Sequence, residues 1–195
     1  TKQLGKKPIL INDLKSIINA IDAFNKIEKK KLRDKAILLV GFSGGFRRSE
    51  LVEIEYDDVE FVSEGVKIFI KRSKTDQSGE GMIKAIPYFE NKNFCPVVNL
   101  KKWIDYSVIK SGKIFNISDK SVALIIKKYA SLSGLDPNKY GGHSLRSGFA
   151  TSTAESGAEE RNIMAMTGHK TTQMVRRYIK DANLFKNNAL NKIKI

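Results

Sequence analysis

The sequence has few of the residues that build disulfide frameworks and zinc centres. Its one cysteine, Cys95, excludes a disulfide framework and a metal site built on several thiolates. Its two histidines, His143 and His169, are 26 positions apart, unlike the closely spaced ligands of zinc motifs. We therefore expect neither disulfides nor a zinc site.

Long apolar runs and linkers are also missing. No run approaches the ~18 apolar residues of a transmembrane helix, and the opening TKQLGKKPIL has no signal-peptide core. Internal repeats, low-complexity tracts and Pro/Gly-rich linkers do not occur. At 41% hydrophobic residues, the chain can bury a proper core. The sequence predicts one basic globular domain over residues 1–195, in a reducing, cytoplasmic compartment and without a membrane partner.

Positive charge is abundant. The 35 Lys and Arg residues outnumber the 21 Asp and Glu residues, and the net charge is +14. Such an excess favours a polyanionic partner, usually nucleic acid, although charge for solubility alone is the alternative. Only eight of the basic residues are arginines. Because arginine offers a planar fork to an oriented phosphate, the positions of these few are informative.

Hydrophobic periodicity predicts a mostly helical chain that contains one small sheet. The period changes from 3.6 to 2 near residue 58, and Ser63-Glu64-Gly65 reads as a three-residue turn in which Gly65 supplies a positive φ. Asn12 and Ser144 are the candidate N-caps of two helices. The predicted helices are 11–27, 29–43, 46–55, 97–110, 118–133, 144–156, 159–166, 171–180 and 182–193, and the predicted strands are 58–62, 66–71 and 82–88.

Two stretches place arginines where a phosphate could bind. In Gly141-Gly-His-Ser-Leu-Arg-Ser147, His143 and Arg146 are three residues apart and face the same side of a helix start, where free N–H groups favour an anion. In the second stretch, residues 43–51, Arg47 is in register with the buried stripe and Glu50 can brace it. A capped surface helix and a structural Arg47–Glu50 ion pair are the alternative interpretations.

Two further stretches carry weaker signals. His169 lies in a turn between two predicted helices, and Tyr178 ends the next short helix among basic neighbours. Such a tyrosine is more often a core residue with a satisfied hydroxyl. Lys74 follows a strand, at the start of a Ser/Gly-containing loop, where a lysine is usually no more than a solvated charge.

Taken in this order, the four stretches resemble the motifs of the tyrosine recombinase (phage integrase) family, over essentially the whole chain. Gly45-Phe-Arg-Arg-Ser-Glu-Leu51 looks like the family's first-arginine motif, and its Ser-Glu-Leu end selects Arg47 over Arg48. The sequence departs from the family where Gly44-Gly45 replaces a common Thr-Gly pair and where Arg177 adjoins the tyrosine. Neither departure removes a catalytic group.

The other motifs complete the resemblance. Ser-Lys-Thr-Asp around residue 74 looks like the hairpin-loop lysine, residues 143–146 look like the His-x-Leu-Arg box, and residues 168–169 look like the second histidine box. The resemblance implies an α+β, mostly α-helical fold, the tyrosine recombinase catalytic domain with a small three-stranded antiparallel sheet on one edge. The candidate catalytic residues are then Arg47, Lys74, His143, Arg146, His169 and the nucleophile Tyr178.

The resemblance also implies a reaction and its partners. A site-specific recombinase or integrase cleaves and rejoins double-stranded DNA through a 3′-phosphotyrosine, without metal, ATP or another cofactor. It works as a tetramer on DNA, where the C-terminal helix docks on a neighbour, and we expect a monomer when free. Leu184, Phe185, Leu190 and Ile193 give this tail an apolar face, which could equally pack on its own body.

Family members usually carry an N-terminal core-binding domain that clamps the other side of the DNA. We expect this domain to be absent from the present chain, which begins with threonine as a fragment or processed product would. The Lys-, Asn- and Ile-rich composition points to an AT-rich bacterial or mobile-element genome. The resemblance implies a protein that associates with DNA in the nucleoid of the host cell. Three alternatives stay open: a type IB topoisomerase, a DNA-binding remnant without catalysis, and a basic helical partner-binding protein.

Overall fold

The computed structural model describes residues 6–71, 81–169 and 171–183 of the chain. The candidate Lys74 lies outside the described residues. The apolar tail residues from 184 onward lie outside them as well, so the helix predicted at 182–193 can be compared only at its first two positions.

Eight α-helices form most of the described structure, and their amphipathic faces explain where they pack. Leu14, Ile17 and Ile21 recur at helical spacing on one side of α1 and are buried there. From Asp34 to Ser43, α2 is buried on every side and forms the centre of the domain. The helices are α1 (Ile11–Phe24), α2 (Glu28–Ser43), α3 (Arg48–Glu53), α4 (Pro96–Ser107), α5 (Asp119–Leu132), α6 (Ser144–Glu155), α7 (Glu160–Thr167) and α8 (Thr172–Asn183).

The sheet has three antiparallel strands in the order β1 (Val59–Val62), β2 (Gly65–Ile70) and β3 (Met82–Pro87). Val66, Ile68 and Ile70 of β2 point into the core and alternate with exposed residues, as the period of 2 predicts. In the register of the second pair, Ile68 lies opposite Lys84. The predicted fold class, mostly helical with a small antiparallel sheet, is therefore confirmed.

Two hydrophobic clusters hold these elements. The main cluster joins α1, α2, the sheet, α4 and α5. A smaller second cluster is centred on Ala150, Ala154, Ile163 and Val175, which come from α6, α7 and α8. Ile179 and the ring of Tyr178 pack against its edge. The helix that carries the candidate nucleophile thus rests on the second cluster.

Several predicted helix ends were wrong. Asn12 does not cap α1, because the helix already begins at Ile11 and Leu10 is its N-cap. Ser144 is the first residue of α6, and His143 is its N-cap. The Ser144 hydroxyl instead accepts a hydrogen bond from the Gly141 backbone N–H at 2.9 Å. Tyr178 lies inside α8 and does not end it.

The predicted turn between the first two strands was also wrong in length. Val62 pairs with Gly65, so the turn has two residues, Ser63 and Glu64. Gly65 is not among the glycines with positive φ. A Cβ atom at this position would lie 2.1 Å from the Ile86 carbonyl oxygen, so Gly65 permits close approach of β3. Among the described helices, none is both long and apolar enough to cross a membrane.

Candidate active site

Arg47 lies between α2 and α3, where it is the N-cap of α3. Glu50, three residues later, accepts a hydrogen bond from the Arg47 backbone N–H at 2.9 Å, and its second oxygen accepts from Arg47 Nη1. The bond to the Arg47 backbone is the Glu50 half of a capping box, and the second bond pairs the carboxylate with the guanidinium, which has donors only. The Glu50 side chain is only 4% exposed and that of Arg47 is 19% exposed. The predicted bracing of Arg47 by Glu50 is present in the structure, and it leaves Arg47 partly open to solvent.

Arg146 extends from the first turn of α6 and is buried. Its Nη1 donates a hydrogen bond to the Gly45 carbonyl at 3.0 Å, which ties α6 to the Arg47 turn. Its Nη2 is buried and has no hydrogen-bond partner in the described part of the chain. Burial and then the charge of Arg47 lower the pKa of Arg146 to about 10, so the guanidinium remains charged at pH 7. The site therefore contains a buried cationic donor that lacks an acceptor.

His169 follows Gly168, whose φ of +65° ends α7 in the left-handed conformation that glycine favours. The Thr167 hydroxyl donates to the Ile163 carbonyl at 2.7 Å and lies 2.7 Å from His169 Nδ1. Because a hydroxyl has one hydrogen, His169 must donate from Nδ1 to Thr167, which leaves Nε2 unprotonated in the neutral ring.

The electrostatic environment keeps His169 neutral. Desolvation, and then the charges of Arg146, Arg47 and Lys84, lower its pKa to about 4. The His169 and Tyr178 rings lie 6.1 Å apart between centroids, at an interplanar angle of 37°. Tyr178 is half-buried on α8, and its side chain interacts electrostatically with Arg146. Arg47, Arg146, His169 and Tyr178 therefore form one cluster, contributed by two turns and two helices.

The structure describes one of the other two candidates. His143 is exposed at the N-cap of α6, one helical turn before Arg146. Lys74 is outside the described residues. In the described ranges, no three His, Cys, Asp or Glu side chains meet as a metal site would require.

Sequence reasoning missed Lys84. This lysine of β3 is fully buried, and it interacts electrostatically with Arg47, Arg146 and His169. Lys84 is two residues before the inward-facing Ile86, so both side chains lie on the same face of β3. This spacing is the one sequence signal that could have identified Lys84. Both faces of the strand carry apolar residues, at positions 82, 83, 85 and 86, so the sequence does not indicate which face is buried.

The basic patch at residues 29–33 is partly neutralised within the fold. Arg33 is bonded to Asp34 at 2.7 Å, and Lys31 lies 4.0 Å from both Asp22 and Glu28. Lys29 remains exposed beside a surface cleft that also contains Lys110 and Lys113. Only part of the patch is therefore available to an external anion.

The fold and the comparison with a family model together define the class of this protein. The chain matches the family model described as "Phage integrase family" over residues 9–184, and it therefore belongs to the phage integrase family. It is 47% identical over 205 residues to the "Integrase/recombinase xerD homolog" of Selenomonas ruminantium, covering 99% of this chain and 59% of that protein. The chain thus spans about three-fifths of the length of that curated relative.

Solved structures show the same fold. The crystal structure of XerA recombinase superposes with a TM-score of 0.73 at 19% sequence identity, covering all of this chain and 67% of that one. The pre-cleavage complex of the XerH site-specific recombinase with its difH substrate superposes with a TM-score of 0.73 at 17% identity. That match covers 94% of this chain and 54% of XerH.

Proposed function

We propose that this chain is the catalytic domain of a site-specific recombinase and that it breaks and rejoins DNA strands through Tyr178. The buried Arg146 guanidinium carries the proposal, because its Nη2 has no acceptor in the described part of the chain. A buried cationic donor without a partner is costly, and an anion relieves that cost. A DNA phosphate suits both this donor and the net charge of +14. The curated relatives are bacterial, so we place the activity on the DNA of a bacterial cell.

The two arginines would hold the phosphate. Each guanidinium offers a planar fork to the non-bridging oxygens, and its charge stabilises the negative charge that grows in the pentavalent transition state. Phosphate also counteracts the three cations that keep His169 neutral. Its arrival would raise the pKa of His169, and a protonated ring could then donate from Nε2 to a phosphate oxygen.

The reaction would proceed in two steps, cleavage and rejoining. The Tyr178 hydroxyl oxygen attacks phosphorus, the bond from phosphorus to the 5′-oxygen breaks, and a 3′-phosphotyrosine and a 5′-hydroxyl form. His143 would accept the phenolic proton and Lys74 would protonate the leaving oxygen. In rejoining, a 5′-hydroxyl attacks the phosphotyrosine and both protons return. One phosphoester bond replaces another in each step, so no nucleotide is consumed.

A suicide substrate tests this proposal. A nick placed close to the cleavage site lets the short product diffuse away and traps the covalent adduct, which migrates slowly on a denaturing gel. Wild type should form the adduct. Tyr178→Phe should not form it, while retaining nearly the same DNA affinity. Tyr106→Phe, at an exposed tyrosine of α4, is the matched control and should behave as wild type. An adduct that survives in Tyr178→Phe would refute the assignment of the nucleophile.

Assembly on DNA would use an apolar groove. Its volume is about 660 Å³, and it is lined by apolar side chains of α1, α2, β3 and α6, including Ile11, Phe42, Ile86 and Phe149. Two buried hydroxyls in its lining, of Ser43 and Ser152, have no hydrogen-bond partner among the described residues. We propose that the apolar tail of a second copy, with Phe185 and Leu190 in its sequence, docks there.

Paired substitutions test the docking. Ile11→Lys places a charge in the groove at a residue that is 44% exposed, and Leu190→Lys changes the tail. Both should abolish tetramers on a DNA junction, measured by analytical ultracentrifugation, while adduct formation by single protomers persists. Leu124→Lys on α5, at a residue that is 66% exposed, is the control. Intact tetramers in both test variants would exclude this groove as the docking site.

A further inference from the structure

Lys84 is a fully buried charged residue whose surroundings are cationic. Its relative exposure is 0%, and Arg146 and Arg47 both act to lower its pKa. Desolvation makes the largest contribution, and the pKa of Lys84 falls to about 7. Glu50 is the group that opposes this shift. A lysine kept in such a place needs compensating contacts.

The compensating contacts are hydrogen bonds to backbone carbonyls at the C-terminal ends of two helices. Lys84 Nζ donates to the Gly44 carbonyl at 2.7 Å and to the Met166 carbonyl at 2.6 Å. Gly44 is the C-cap of α2, and Met166 lies in the last turn of α7. Helix C-termini present carbonyls without intrahelical partners and a partial negative charge, which an ammonium group satisfies. The Phe46 ring, 4.4 Å from Nζ, adds a cation–π contact.

Both carbonyls lie the same distance along the chain from a candidate catalytic side chain. Gly44 precedes Arg47 by three residues, and Met166 precedes His169 by three residues. The Arg47 turn is also bonded to Arg146 through the Gly45 carbonyl. The Lys84 ammonium therefore joins the two turns that carry Arg47 and His169, from the side opposite the solvent.

We propose that Lys84 is a positioning residue for strand cleavage: its buried ammonium links the carboxyl ends of α2 and α7 and thereby fixes Arg47 and His169 relative to each other. The inference rests on the proposed function, since it concerns the phosphate that these two side chains would hold. In this proposal Lys84 acts only through the two turns and not by contact with the phosphate.

Single-turnover cleavage of the suicide substrate by Lys84→Met tests the inference. Methionine keeps most of the volume and removes the charge and both hydrogen bonds. We expect cleavage to slow by about 10²-fold, the effect of misplacing catalytic groups by about 1 Å. The DNA dissociation constant and its salt dependence should stay near wild type, because a buried lysine releases no counterions. Lys84→Arg, which retains the charge and the donors, should recover part of the rate.

Lys67→Met is the matched control, since Lys67 lies on the adjacent strand β2 and its side chain is 48% exposed. It should cleave at the wild-type rate. A second readout is the NMR titration of His169, because removing the Lys84 charge should raise the His169 pKa.

The outcomes separate the two proposals. If the wild-type chain forms no adduct, the proposed function fails. If the wild type forms it and folded Lys84→Met cleaves equally fast, only the role of Lys84 is refuted. If Lys84→Met does not fold, Lys84→Gln replaces it. Loss of folding in both variants would make Lys84 a core residue and overturn the positioning role.

Discussion

Glu50 is the acidic side chain around which the cationic cluster is organised. The side chain is 4% exposed, its carboxylate accepts two hydrogen bonds from Arg47, and its charge acts on both Arg146 and Lys84. Glu50→Gln preserves the shape of the side chain and removes its charge. The substitution therefore tests whether this carboxylate holds the cluster together.

The expected cost follows from the two hydrogen bonds. Glutamine has one acceptor oxygen, so it can retain one bond, and its amide group faces the donor of the other. A lost hydrogen bond to a charged group costs about 1.5–3 kcal/mol, and leaving buried cations without their counter-charge adds to the loss. We expect the free energy of unfolding to fall by about 2–3 kcal/mol, which lowers Tm by roughly 5–10 °C in a domain of this size.

Urea denaturation, followed by circular dichroism, measures the stability change. Single-turnover cleavage should slow by at least about tenfold as Arg47 loses its orientation. DNA affinity should not weaken, because the chain becomes more positive by one charge. Glu53→Gln is the control on the same helix, since the Glu53 side chain is 65% exposed and pairs with Lys113 at the surface. Equal stability of Glu50→Gln and wild type, or an equal loss in Glu53→Gln, would refute the reasoning.

Three further predictions concern His169 and the sheet. Thr167→Val removes the acceptor of the His169 Nδ1 hydrogen, so cleavage should slow by roughly tenfold with DNA affinity retained; an unchanged rate would contradict the tautomer assignment. Because the folded-state pKa of His169 is lowered from 6.5 to about 4, the group favours the folded state above pH 6.5. As the pH falls toward 4, acid titration of stability should show a loss of up to ~3 kcal/mol; a loss of the same size in His169→Gln would assign it to other groups. Gly65→Ala forces a Cβ against the Ile86 carbonyl and should lower the free energy of unfolding by about 1–3 kcal/mol in urea, whereas Ser63→Ala in the same turn should have little effect.

The sequence predicted the elements because local rules govern them, whereas the family resemblance named the four side chains that the structure brings together. Alternation in β2 and the stripe of α1 specify their inward faces without reference to distant residues. The pairing of Arg47 with Glu50 follows from their three-residue spacing at a helix start. Where a family motif and a local contact coincide, as at these two residues, the prediction and the structure agree.

The failures arise where distant parts of the chain meet. The need for a glycine at position 65 comes from the Ile86 carbonyl, 21 residues away in sequence. The ligands of Lys84 are carbonyls of two other elements, 40 and 82 residues away, which no composition or periodicity reveals. Serine is a preferred N-cap residue, yet the Ser144 hydroxyl accepts its hydrogen bond from the Gly141 backbone N–H and does not cap α6.

The second hydrophobic cluster has a consequence for the timing of the proposed strand cleavage. Val175 of α8 is buried against only three small or medium-sized side chains of α6 and α7, whereas Phe46 and Leu51, on either side of the Arg47 turn, belong to the large main cluster. The free energy needed to detach α8 is therefore less than that of global unfolding. Backbone amides of α8 should exchange with deuterium well before those of α2, and equal protection would contradict this. Under the proposed function, Tyr178 would be withdrawn while the side chains proposed to hold the phosphate stay assembled, so that cleavage would follow the docking equilibrium of one helix.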